Sequence, residues 1–112
     1  MKKIFVYTVF FLAACITNAC SQSGKNLQLL SSDLFKKALD SITDKQVIDV
    51  RTSEEFKAGY IPGARNINIY DADFPEQIDS LDKNIPVLVY CKGGARSADA
   101  ARQMQKMGFK NI

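Results

Sequence analysis

An α/β fold with a mainly parallel sheet flanked by helices is what these 112 residues predict. Three observations carry that expectation. Short apolar, β-branched runs alternate with short helical patterns from residue 27 onward, the signature of βαβ units. Residues 85–90, IPVLVY, are apolar without interruption, as in a strand covered on both faces. A glycine-rich loop then leads directly into a helix, and in such sheets the carboxyl edge of the strands is where ligands bind. The length allows one globular unit at most.

The elements follow in order. Residues 27–30, LQLL, form a plausible first strand. Ser31 and Ser32 are good N-caps for a helix with Leu34, Phe35, Ala38 and Leu39 on one side. Residues 46–50 form the second strand, with Asp49 and Arg51 at its carboxyl end. Ser53 caps a short helix whose Glu54 and Glu55 sit near the positive end of its dipole. Gly59 stops that helix, and Ile61-Pro62-Gly63 makes a turn. NINIY at 66–70 alternates as a half-exposed strand, residues 74–81 read as a helix, and residues 85–90 are the buried strand. The last helix covers 97–107, with Ala98, Ala101, Met104 and Met107 on one side and Gly108 as its stop.

Composition narrows the chemistry. The chain contains no His and no Trp. Without His, Ser-His-Asp and Cys-His catalysis, His-Glu-x-x-His zinc sites and imidazole proton shuttles are excluded. The three cysteines, Cys15, Cys20 and Cys91, are too few and too scattered for a disulfide framework or a zinc site, so neither metal nor cofactor is expected. Fifteen Lys and Arg stand against twelve Asp and Glu, a formal +3. The charges are interspersed, so nothing points to nucleic acid.

The first 19 residues read as an export signal. Lys2 and Lys3 precede the apolar run IFVYTVFFLAA, which is shorter than the about 20 residues a membrane-spanning helix needs. Leu12-Ala13-Ala14-Cys15 resembles a bacterial lipobox, in which cleavage before the Cys leaves its thiol to carry diacylglycerol. Thr17-Asn18-Ala19-Cys20 is the weaker candidate, and ordinary cleavage near Ala19 would instead release a soluble protein. Residues 20–26 are small and polar, a tether between membrane and domain. The expected location is the periplasmic side of a bacterial membrane, held there by a lipid anchor.

The loop Cys91-Lys92-Gly93-Gly94-Ala95-Arg96-Ser97 is the most informative stretch. A buried strand delivers Cys91 to its end. Glycines there permit positive φ and leave backbone N–H groups uncovered, so the loop can curl into a nest of donors. The helix that follows adds its positive end, and Lys92 and Arg96 add two cations. Such a field draws a thiol toward thiolate without a general base. A lone Cys after a strand is often only a small core residue, but the loop, the cations and the helix together favour catalysis.

With these residues in view, the sequence resembles the rhodanese-like family. Cys91, Gly94, Arg96 and Ser97 match its Cys-x-x-Gly-x-Arg-Ser loop. Ile48-Asp49-Val50-Arg51, followed by Glu54, Glu55 and Phe56, looks like its Asp-Val-Arg segment. Residues 59–67 look like its Gly-His-Ile-Pro-Gly-Ala-x-Asn-Ile segment, with Tyr60 in place of His in an expected packing role. The resemblance runs from Leu27 to the end and implies a three-layer rhodanese-like domain over 27–112. It also implies sulfur transfer. Cys91 would take sulfur from a small anionic donor such as thiosulfate and hold it as a persulfide. Cyanide or a thiol would then remove it. Gly93, Gly94, Ala95, Arg96 and Ser97 would offer N–H groups, and Lys92 would favour thiosulfate over mercaptopyruvate. Arg96 would fasten the loop, with Asp49 as the suggested partner. Asp49 and Arg51 could form a structural ion pair or touch substrate. Related phosphatases use Cys-x5-Arg; the Cys-x4-Arg ring here suits a single sulfur better, so phosphatase or arsenate reductase ranks lower. A persulfide carrier with little turnover and a non-catalytic binding module also compete with the enzyme, the module less strongly because Cys91 is present. The family pattern continues into a last strand and helix that this sequence is expected to lack, leaving the strand at 27–30 without a partner and part of the core uncovered.

Overall fold

The computed structural model describes residues 26–112. The expected export signal, Cys15, Cys20 and nearly all of the expected tether lie outside the described residues.

The element order is α1 (Ser32–Ser41), β1 (Gln46–Asp49), α2 (Ser53–Ala58), β2 (Arg65–Asn66), α3 (Phe74–Asp79), β3 (Val87–Tyr90) and α4 (Ala95–Lys106). The three strands form one parallel sheet in the order β2-β1-β3. Central β1 places Asp49 beside Tyr90 and Asn66, so three polar side chains reach the same carboxyl edge. Pairing continues past β2, because the N–H groups of Ile67 and Ile69 donate to the carbonyls of Asp49 and Val50 at 2.9 and 3.1 Å.

The core lies between the sheet and the pair α3–α4. Ile48, Val50, Ile67, Phe74, Ile78, Val87, Ala100, Ala101, Met104 and Phe109 are nearly or fully inaccessible. On α4 the buried stripe is Ala100, Ala101 and Met104, whereas Ala98 and Met107 lie at its margin. The small alanines let the helix approach β3 closely.

Three expectations are corrected. The cap of α2 is Thr52 rather than Ser53. Thr52 Oγ1 accepts from the Glu55 N–H while the Glu55 carboxylate accepts from the Thr52 N–H, a reciprocal capping box. The last helix starts two residues earlier than expected, at Ala95. The first segment is also not unpartnered. Residues 109–112 run between residues 26–28 and β3: Val87 N–H donates to Asn111 O at 3.0 Å, Ile112 N–H to Asn26 O at 2.7 Å and Gln28 N–H to Ile112 O at 3.0 Å. Phe109 and Ile112 are buried there and close the end of the core. Residues 29 and 30 extend beyond this pairing without joining a strand, and Leu29 is exposed.

α1 is the least integrated element. Ser31 caps it as expected, accepting from the Leu34 N–H, but it buries no residue and Leu34 is half exposed. Among the described residues no helix is long and apolar enough to cross a membrane.

Candidate active site at Cys91

β3 ends at Tyr90, and the next residue, Cys91, turns its thiol into the loop that opens α4. The loop closes on the sulfur. Gly94 N–H donates to Cys91 Sγ at 3.0 Å and Ser97 N–H at 3.3 Å, and Ser97 Oγ lies 3.4 Å from it. Gly94 has φ +95°, a conformation side-chain-bearing residues rarely adopt, and this turns its N–H inward. Gly93 does not have a positive φ, so only one of the two expected loop glycines works in this way. Ala95 and Arg96 stand in the first turn of α4, where N–H groups have no intrahelical acceptor, and neither donates to the sulfur.

This arrangement moves the thiol toward thiolate. Burial alone would push its pKa up. The Ser97 hydroxyl and the N–H groups of Ser97, Gly94 and Gly93 outweigh burial and lower it below the ordinary value. The main causes are therefore the Ser97 hydroxyl and the N–H groups of the expected nest, and the two cations expected to reinforce it are not among them. Ser97 Oγ also sits 3.1 Å from Gly94 O. Its single proton can serve that carbonyl when sulfur is protonated, or the sulfur when it is charged.

Arg96 does fasten the loop, but to Glu55 rather than to Asp49. Its Nη1 and Nη2 donate to the two Glu55 carboxylate oxygens at 2.7 and 3.1 Å. Hydrogen bonding to Arg96 is the main reason the Glu55 carboxyl falls to about 2. Glu55 thus holds both the N-terminus of α2 and the loop that carries Cys91. Sequence reasoning gave it only a helix-dipole role; the Thr-x-x-Glu spacing of the capping box is the signal that could have fixed its position.

Asp49 and Arg51 form a structural ion pair. The Arg51 guanidinium donates to both Asp49 oxygens, at 2.7–3.0 Å, and to Gly59 O at 2.6 Å, and it lies over the Tyr90 ring. Asp49 is fully buried. Burial would raise its pKa, but Arg51 and the Tyr90 hydroxyl hold it below the ordinary value. Tyr90 Oη in turn accepts from the Ile61 N–H at 3.1 Å, and Asn66 Nδ2 donates to the Asp49 and Arg51 carbonyls. This network pins the segment 59–67 to the end of the sheet. Tyr60 has the packing role expected of it, stacked on Phe56 at 4.1 Å between ring centroids.

Lys92 is exposed and has no carboxylate partner among the described residues. A cleft of about 640 Å³ opens over the loop, with Cys91, Lys92, Gly93 and Ser97 on one wall and α1 on the other. Among the described residues no group of His, Cys, Asp and Glu could hold a metal. The site offers one activated thiol, a ring of N–H donors and an unneutralised cation at the rim.

Comparison with known proteins bears on this geometry. The family profile described as "Rhodanese-like domain" matches residues 31–112. YrkF of Bacillus subtilis, proposed by its name as a sulfur carrier protein, is 32% identical over 92 residues, which are 82% of this chain and 49% of YrkF. The chain therefore spans about half of that relative. YtwF of the same organism, proposed by its name as a sulfurtransferase, is 31% identical over 83 residues, covering 74% of this chain and 79% of YtwF. Among solved structures, a rhodanese-like domain protein from Staphylococcus aureus superposes with a TM-score of 0.62 at 34% identity, covering 71% of this chain and 76% of that one.

Proposed function

Because the chain belongs to the rhodanese-like domain family, we propose that it is a sulfurtransferase in which Cys91 carries sulfane sulfur from an anionic donor, thiosulfate among them, to a thiol or cyanide. The observation that carries this reading is the pair of backbone N–H groups, of Gly94 and Ser97, that donate to Cys91 Sγ, with Ser97 Oγ beside them. The Cys91 thiolate attacks the outer sulfur of thiosulfate. The S–S bond of the donor breaks and sulfite leaves with the bonding electrons, so Cys91 becomes a persulfide anion. An acceptor thiolate then attacks the outer sulfur, forms its own persulfide and returns Cys91 as thiolate. The N–H groups of Ala95 and Arg96, uncommitted within α4, are placed to meet the charge on the outer sulfur. Lys92 at the rim raises the local concentration of an anionic donor.

The loop argues against phosphoryl chemistry. The Arg96 guanidinium is committed to Glu55, so it is not free to clamp a phosphate. A carrier role, suggested by the similarity to YrkF, differs only in turnover: it would load Cys91 but release sulfur slowly to small acceptors. The test is to incubate the protein with thiosulfate and measure intact mass. The protein should gain one sulfur atom, lose it on adding a thiol, and gain nothing as Cys91→Ser. Hydrolysis of aryl phosphates by a protein that takes up no sulfur would overturn the reading. We further propose that the mature protein is lipid-anchored through Cys15 on the periplasmic side. Support for this comes from the basic start, the apolar run and the lipobox-like sequence. Mass analysis of the mature N-terminus tests it, and an unlipidated terminus near Ser21 would refute it.

A further inference from the structure

The segment from residue 29 to residue 45, which contains α1, is joined to the rest of the domain by the chain itself and by apolar contact. Gln28 N–H donates to Ile112 O just before it, and Gln46 N–H donates to Pro86 O at 2.8 Å just after it. Between those points every hydrogen bond among the described residues stays within the segment, as from Leu34 and Phe35 to Ser31 and from Ile42 to Ala38. The ion pairs among the described residues do not involve it, and none of its side chains joins the core cluster. Space lies on both sides of it. Leu30 and Phe35 line the cleft of about 640 Å³ over Cys91, and they also line a smaller void of about 130 Å³ between residues 27–30, β3 and the start of α4. Phe35 crosses that space to meet the Tyr90 ring edge-on, 6.0 Å between centroids, one residue before the nucleophile.

A wall held in this way can leave without unfolding what it covers. Going beyond the sulfur-transfer reading, we infer that residues 29–45 form a flap, hinged at both ends and latched by Phe35 on Tyr90, whose opening decides whether a thiol borne on a macromolecule reaches Cys91. The hinges are the extended residues at the ends of α1, Ser31 and Ile42, with a bend at 43–44. Small molecules enter the cleft past the closed flap, whereas a folded partner meets α1 first. Opening is local because few apolar contacts are lost. With ten residues, α1 is also too short to hold its shape once undocked. Gly94 and Ser97, the donors to the thiol, lie outside the flap, so the nucleophile is unchanged when it opens.

The experiment follows amide hydrogen exchange and Cys91 alkylation in the full chain. Residues 29–45 should exchange together and well before β1, β3 and α4. Phe35→Ala removes the latch and should speed that exchange by about threefold to tenfold, the worth of one aromatic pair. It should speed by the same factor the reaction of Cys91 with a maleimide fixed to a folded carrier protein, with Cys91→Ser as the background. Reaction with iodoacetamide should not change. Leu34→Ala, at a half-exposed position of α1, should alter none of these rates. Exchange of residues 29–45 in step with β1 and β3 overturns the inference, and so does a carrier reaction that Phe35→Ala leaves unmoved. An equal rise with iodoacetamide overturns it because the thiol itself has then changed. A melting temperature of Phe35→Ala well below the parent's overturns it because Phe35 then belongs to the core. Failure to take up sulfur from thiosulfate, with the expected exchange and access, removes the sulfur-transfer reading and leaves the flap.

Discussion

Replacing each loop glycine with alanine separates backbone strain from crowding. Neither Gly93 nor Gly94 has any atom within 4 Å of the position a Cβ would take, so neither substitution meets a clash. The two differ in backbone: Gly94 has φ +95° and Gly93 does not have a positive φ. Alanine lowers the entropy of the unfolded chain at either site, by about 0.4–1 kcal/mol, and this contribution cancels between the variants. What remains is the strain of a left-handed residue with a Cβ, roughly 1–2 kcal/mol. In a domain of this size 1 kcal/mol corresponds to about 4–8 °C in melting temperature. Gly94→Ala should therefore melt roughly 4–16 °C below Gly93→Ala, which should match or exceed the parent. The chemistry should divide in the same way. Gly94 N–H is the shortest donor to Cys91 Sγ, at 3.0 Å, and relaxing the strain rotates it away. Cys91 in Gly94→Ala should then be alkylated by iodoacetamide with a midpoint shifted to higher pH, while Gly93→Ala keeps the parent profile. Equal melting temperatures and equal alkylation profiles in the two variants would refute the claim that this one backbone conformation organises the site.

Three further outcomes follow from the same geometry. Ser97→Ala removes the hydroxyl that stabilises the thiolate; a hydrogen bond to a charged group is worth about 1.5–3 kcal/mol, so sulfur loading near neutral pH should slow about tenfold or more, with the pH–rate profile moved upward. Asp49→Ala leaves the Arg51 guanidinium without its buried partner, and urea titration should show a loss of about 3–5 kcal/mol; a loss below 1 kcal/mol would mean that Arg51 finds solvent freely. The Glu55 carboxyl is lowered from 4.5 to about 2, so its contribution to stability is complete above pH 4.5 and disappears as pH falls toward 2. Acid unfolding of Glu55→Gln, followed by circular dichroism, should lack that part of the pH dependence, and an unchanged acid limb would show that the link to Arg96 does not form in solution.

How much of this was legible in the sequence depends on the range of the interaction. The parallel sheet, the buried strand at β3 and the loop that leads from it into α4 are local patterns, and the structure follows them. Cys91, Gly94 and Ser97 come together because they lie within one short loop and the helical turn that follows it, so their spacing already constrained their distances. Arg96 illustrates the limit. Its nearest acidic candidate along the carboxyl edge was Asp49, but Asp49 is already held by Arg51 two residues away. A bidentate pair formed at so short a separation leaves no acceptor for a distant guanidinium. Glu55, fixed by its cap on Thr52, is 41 residues from Arg96 in sequence, and only the packing of α2 near the loop joins them.

The same reasoning explains the source of the thiol's activation. Sequence suggests a nest of backbone N–H groups around Cys91, reinforced by two nearby cations. Once Arg96 is paired, much of its field is cancelled at the source, and Lys92 is at the exposed rim where water screens it. Backbone N–H groups at 3.0–3.3 Å are neither neutralised nor free to move away. A site built on fixed dipoles keeps its thiolate at moderate salt, whereas one built on surface cations would lose it. Alkylation of Cys91 should accordingly keep its pH midpoint as ionic strength rises. Capture of an anionic donor, for which the proposed function invokes Lys92 at the rim, should weaken over the same range, so KM should climb while the intrinsic reactivity of the thiol stays level.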